Sequence, residues 1–114
     1  MIKLSRVMPG RLKLTCIAVA AAGSAMMSAA NAQDGLDLAK RSGCTACHST
    51  DAKMVGPPFK EVAQKYKGDP AVIDKLVYSI RKGSQGKWGA VPMPPNTGMN
   101  DEQAQALALW VMGL

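Results

Sequence analysis

One histidine, His48, serves the whole chain of 114 residues, and cysteine occurs three times, at Cys16, Cys44 and Cys47. That scarcity excludes several chemistries. A closed structural zinc site needs four protein ligands, more than the two later cysteines and one histidine supply. A pair of axial histidines on one metal is excluded outright. The sequence also lacks internal repeats, low-complexity tracts and the apolar-polar alternation of a strand, so neither a solenoid nor a sheet protein is indicated. Its apolar run around Cys16-Ile17-Ala18-Val19-Ala20-Ala21-Ala22 is shorter than the about 20 residues of a membrane span and rich in small side chains.

That run is preceded by Lys3, Arg6, Arg11 and Lys13 and followed by Ala30-Asn31-Ala32, the pattern of a secretory signal peptide with a small-x-small processing site. The expected division is therefore residues 1–32 as a cleaved export signal and residues 33–114 as the mature domain, with Cys16 lost on processing. The charge follows the same division. Fourteen Lys and Arg stand against eight Asp and Glu overall, and ten against eight once the four leader basics are gone. A mature charge so close to balance argues against nucleic-acid binding. It leaves room for a basic face toward a protein partner.

Cys44-Thr45-Ala46-Cys47-His48 is the stretch that carries chemistry. Two thiols three positions apart with an imidazole directly behind them form the attachment signature of c-type haem. Each thiol can add across one vinyl group to give a thioether, and the chain then delivers His48 to the iron. A dithiol oxidoreductase would require a βαβ setting, which the pattern does not provide. The 82 residues from 33 to 114 form a domain too small to bury a generous core unaided. A covalently held porphyrin fills that need.

Four helical patterns follow. Residues 34–42 carry Leu36, Leu38 and Ala39 and stop at Gly43, a helix-end glycine that turns the chain into the haem motif. Phe59, Val62, Ala63 and Tyr66 lie along one face of a second helix, entered through Pro57-Pro58 and closed by Gly68. Val72, Ile73, Leu76, Val77 and Ile80 recur with helical spacing between Pro70 and Gly83. The fourth pattern has Asn100 as N-cap, Gln103 at the capping-box position, and Ala104, Leu107, Ala108 and Val111 on one stripe. The fold class expected is all-α.

Residues 83–98 hold too many glycines and prolines for regular structure;, and a long loop in so small a domain is usually functional. A sixth iron ligand is sought among Met54, Met93, Met99 and Met112. Met54 is only six residues beyond His48, and Met112 lies at the end of the last helix. Met93 is favoured over Met99 because Pro92 and Pro94 stiffen the backbone on either side of it. Trp88 reads either as a core aromatic or as an N–H donor to a haem propionate. Asn96 reads either as a turn cap or as an amide aimed at the methionine sulfur. The lysines Lys53, Lys60, Lys65, Lys67, Lys82 and Lys87 read individually as solvated.

Taken together, Gly43-Cys44-Thr45-Ala46-Cys47-His48, Lys53-Met54-Val55-Gly56-Pro57, Gly83-Ser84-Gln85-Gly86-Lys87-Trp88-Gly89, Pro92-Met93-Pro94-Pro95-Asn96 and Leu107-Ala108-Leu109-Trp110-Val111 resemble the short class I bacterial cytochromes c. These shuttle electrons in denitrifying respiration and include donors to the haem-containing nitrite reductase. The resemblance implies an all-helical fold whose first and last helices cross around one covalent haem with an exposed edge. It implies Met93 as sixth ligand, the Pro57 carbonyl on the proximal imidazole, Asn96 at the methionine sulfur and Trp88 on a propionate. Two positions depart from the family pattern: Ser79 replaces an arginine near the propionates, and Ser42 a lysine before the haem motif.

The function expected is that of a periplasmic, monomeric electron carrier rather than an enzyme, with no small-molecule substrate. Its partners would be an upstream quinol-oxidising complex or other donor and a downstream nitrite reductase or oxidase. The alternative is a haem enzyme or gas sensor with a displaceable sixth ligand.

Overall fold

The computed structural model describes residues 27–114 together with Gly10, with side chains from residue 33 onward; the leader basics and Cys16 lie outside the described residues. Among the described residues four α-helices, α1 (Met27–Arg41), α2 (Phe59–Lys65), α3 (Val72–Lys82) and α4 (Asp101–Met112), are joined by loops, with one 3-10 turn at Cys44–Ala46. The all-α reading of the sequence is what the backbone shows. Among the described residues the one β-type pairing is an isolated bridge between Ser84 and Met93, and no helix is long and apolar enough to cross a membrane.

Local chemistry accounts for most helix ends. Asn100 accepts from the Gln103 backbone N–H at 2.8 Å while Gln103 Oε1 accepts from the Asn100 N–H at 3.1 Å, closing both arms of the capping box. Gly43, at φ 77°, takes the left-handed turn that ends α1, a conformation that costs a residue with a Cβ. Gly83 ends α3 differently, at φ 83° and ψ 174°, an extended positive-φ conformation open essentially to glycine alone. Two boundaries differ from expectation. α1 is already helical at Met27, well before the expected Asp34, because the alanines and glutamine upstream of Asp34 are compatible with a helix. α2 stops at Lys65, and Tyr66, Lys67 and Gly68 form a looser turn in which Lys67 N–H donates to Gln64 O.

α4 is the element against which α1, α2 and α3 all pack. The stripe read from its sequence, Ala104, Leu107, Ala108 and Val111, is buried throughout. α1 crosses it at Gly35, where an added Cβ would overlap the Trp110 ring; hydrogen is the only side chain that lets the helices approach this closely. Phe59, Val62, Ile80 and Met99 complete the core with Ala39, Ala104, Leu107 and Val111. Yet none of the larger described side chains is fully buried. The α3 residues Val72, Ile73, Leu76 and Val77 are only half-covered, and Leu76, with Ser79 and Ile80, borders a cavity.

Candidate haem site

A cavity open to one side lies between the Cys44–His48 turn, the helices and the loop that carries Met93. Its lining is mostly apolar: Val55, Phe59, Val62, Leu76, Ile80, Leu107 and Val111 from the helices and the first loop, and Val91, Pro92 and Pro94 from the second. Several of these are also core residues. The core is thus a shell around the cavity.

Cys44 and Cys47 are half-buried free thiols on the cavity wall. The 3-10 turn brings them close, with the Cys47 and His48 N–H groups both donating to Cys44 O at 3.2 and 3.0 Å, since residues three apart eclipse in this geometry. Burial pushes the Cys44 thiol above its ordinary pKa, against a smaller opposite pull from a backbone hydrogen bond.

His48 is held from three sides. Its Nδ1 lies 2.7 Å from Pro57 O; a carbonyl can only accept, so Nδ1 carries the proton and Nε2 keeps its lone pair for a metal. The Phe59 ring stacks on the imidazole with centroids 5.1 Å apart and planes at 17°, and Phe59 in turn meets the Trp110 edge at 5.3 Å. On the remaining side Gly56 sits so close that a Cβ there would stand 2.5 Å from His48 Cε1. The chain folds back to make this cradle: Gly56 N–H donates to Cys47 O at 2.7 Å and Phe59 N–H to Ser49 O at 2.9 Å.

The second loop supplies the opposite wall. Met93 lines the cavity, and its backbone exchanges two hydrogen bonds with Ser84, of 3.0 and 2.8 Å. The prolines that recommended Met93 are thus only part of what fixes it. Of the other methionines, Met99 is buried in the core and Met54 is exposed; neither they nor Met112 line the cavity. Trp88 lines it as well. Asn96 does not. Its Nδ2 donates to Ser42 O at 3.0 Å and its Oδ1 accepts from Gly98 N–H at 3.2 Å, so the amide ties the loop to the end of α1 and caps a turn. Ser79 borders the cavity, whereas Ser42 contributes only that carbonyl.

Cys44, Cys47, His48, Pro57, Trp88 and Met93 are therefore gathered at one site, while Asn96 stands behind it. The spacing of the thiols, the apolar walls and the imidazole with a free Nε2 suit a covalently bound porphyrin. The family model for cytochrome c matches residues 32–114. This chain belongs to the cytochrome c family. Among its relatives, cytochrome c-551 of Allochromatium vinosum is 48% identical over 91 residues, covering 80% of this chain and 97% of the relative. Cytochrome c-551 of Stutzerimonas stutzeri is 50% identical over 96 residues, covering 84% and 91%. The crystal structure of wild-type Nitrosomonas europaea cytochrome c552 superposes with a TM-score of 0.68 at 44% identity, over 69% of this chain and 98% of that one. The protein is a class I monohaem cytochrome c, with one haem c attached covalently and electron transfer as its chemistry.

Three contributors to the site escaped the reading of the sequence. Gly56 belonged to a family motif, but nothing local said that an imidazole would press on it. Phe59 read as a core position on an amphipathic face, which it is, without any sign that it stacks on His48. Ser84 is an unremarkable loop serine whose pairing with Met93 spans nine positions and has no periodic signature.

Proposed function

We propose that this cytochrome is a periplasmic one-electron carrier whose iron is held by His48 and Met93, and that residues 1–32 are an export signal removed on secretion. The observation that carries the reading is the His48 cradle facing a wall that bears Met93: Nδ1 committed to Pro57 O at 2.7 Å, Nε2 left for the iron, and Met93 pinned by Ser84 on the cavity lining. Bound haem supplies one-electron chemistry at its iron. The chain's own residues do the rest. Cys44 and Cys47 would anchor the ring, and His48, in a fixed tautomer, would donate Nε2 to the iron. Met93 would supply a second ligand, a sulfur that favours the ferrous state. The Trp88 indole N–H would serve as a donor to a propionate. The apolar walls would keep water from the buried part of the ring, so that both oxidation states share one packing and little reorganisation accompanies transfer.

Exposed Val55 and Val91 sit where the cavity opens, which supports transfer through a ring edge after brief docking with protein partners. An upstream quinol-oxidising complex would deliver the electron and a nitrite reductase or oxidase would accept it. Optical spectra of the native protein test ligation. The ferric form should show the sulfur-to-iron charge-transfer band, and Met93→Ala should abolish it and let the reduced protein bind carbon monoxide. Ready binding of carbon monoxide by the native reduced protein would instead identify a haem enzyme or gas sensor.

A further inference from the structure

Behind the cavity wall, the ring of Trp88 carries a cation. Lys65, the last residue of α2, holds its Nζ 4.1 Å from the centre of the Trp88 ring and donates a 2.9 Å hydrogen bond to Lys87 O. An ammonium that close to an indole face is attracted by the ring quadrupole. The charge is not spent on a carboxylate: among the described residues the ion pairs join Lys60 to Asp51, Lys75 to Asp69 and Arg81 to Asp101.

The position of this contact in the loop gives it weight. The segment bearing Met93 is fastened at its ends, by the Ser84–Met93 pair and by the Asn96 N–H donating to Ile80 O at 2.8 Å. Among the described residues, the Lys65 bond to Lys87 O is the one hydrogen bond tying residues 85–92 to the rest of the protein. It joins them to α2, whose first residue, Phe59, stacks on His48. The two walls of the cavity are clipped together there.

We propose that Lys65 is a positioning residue for the sixth ligand: its cation-π contact and hydrogen bond seat Trp88 against the cavity and keep the Met93 loop closed. Its charge lies across one indole ring from the cavity and disfavours the more positive ferric iron. The inference rests on the His48 and Met93 reading above. Its test uses the haem-loaded native protein and the variants Lys65→Arg, Lys65→Gln and Lys65→Met, with cyanide as an exogenous ligand for the ferric form.

Loss of the clip should speed cyanide binding by about two- to fivefold in Lys65→Met, the factor a single exposed cation-π contact is worth, and lower the reduction potential. Lys65→Arg should restore both. Lys65→Gln should share the lowered potential while keeping part of the slow cyanide binding, because its amide can still reach Lys87 O. The proposal is overturned if Lys65→Met matches the native protein in cyanide rate and potential, or if Lys65→Arg is no better than Lys65→Met. A native ferric spectrum without the sulfur-to-iron band would instead remove the ligation reading, and this inference with it.

Discussion

His48 and Met93 reach the same cavity by different means. The imidazole is confined as a side chain, by the Pro57 carbonyl, the Phe59 ring and the bare Cα of Gly56, and the polypeptide around it is short and folded back on itself. Met93 is confined through its backbone, by Ser84 and flanking prolines, inside a loop that depends on a few long-range ties. A group trapped on three faces cannot leave without moving the fold. A group on a fastened loop can leave when the fastening opens, so the distal wall is where this protein should yield first.

The comparison can be broken most forcefully at Gly56. Gly56→Ala would drive a methyl to 2.5 Å from His48 Cε1 and 2.8 Å from Nδ1, and it should cost about 1–3 kcal/mol as an overpacked site. Because the proximal wall is continuous with the core, thermal unfolding should show that loss globally, with haem-band and helix signals melting together. Gly83→Ala sharpens the contrast. Gly83 combines φ 83° with a Cβ position 2.7 Å from Met93 O, so the strain, again about 1–3 kcal/mol, falls on the Ser84–Met93 pair. In a denaturant titration the ferric charge-transfer band should vanish well before helicity does. Coincident loss of both signals would mean the two walls open as one unit.

A smaller effect, remote from both ligands, serves as the control. Lys75 hydrogen-bonds Asp69 at 2.6 Å, and this contact holds the Asp69 carboxyl below and the Lys75 ammonium above their ordinary values. A lowered carboxyl pKa contributes stability above its ordinary value and loses it as pH falls through the folded one. A raised ammonium pKa contributes below its ordinary value and loses it as pH rises through the folded one. The pair therefore acts from roughly pH 4 to 10. Lys75→Met should lower the melting temperature slightly at neutral pH, and the difference should shrink near pH 3 while the visible spectrum stays unchanged.

What could be read in advance was whatever has a short period or a fixed spacing. The thiols and His48 lie within five consecutive positions, the Asn100 capping box within four, and the α4 stripe repeats with the helix. Contacts between distant segments leave no such trace. Asn96 shows the difference: its amide reaches Ser42 across 54 positions, so the reading as a turn cap matches the bond to Gly98 while the tie to α1 was invisible. Lys65, taken as one solvated lysine among six, differs from the others only through a ring 23 positions away. The start of α1 was placed late for another reason: the residues before Asp34 were assigned to an export signal and given no helix of their own.

The shell-like core has a consequence for biogenesis. Because Phe59, Val62, Ile80, Leu107 and Val111 serve both as core and as cavity wall, much of the apolar surface of the polypeptide is completed only by the pigment, and cohesion should rise on its delivery. Delivery of the cofactor should then act as a licensing step, with any copy that misses it expected to be cut more readily by a protease than the loaded form.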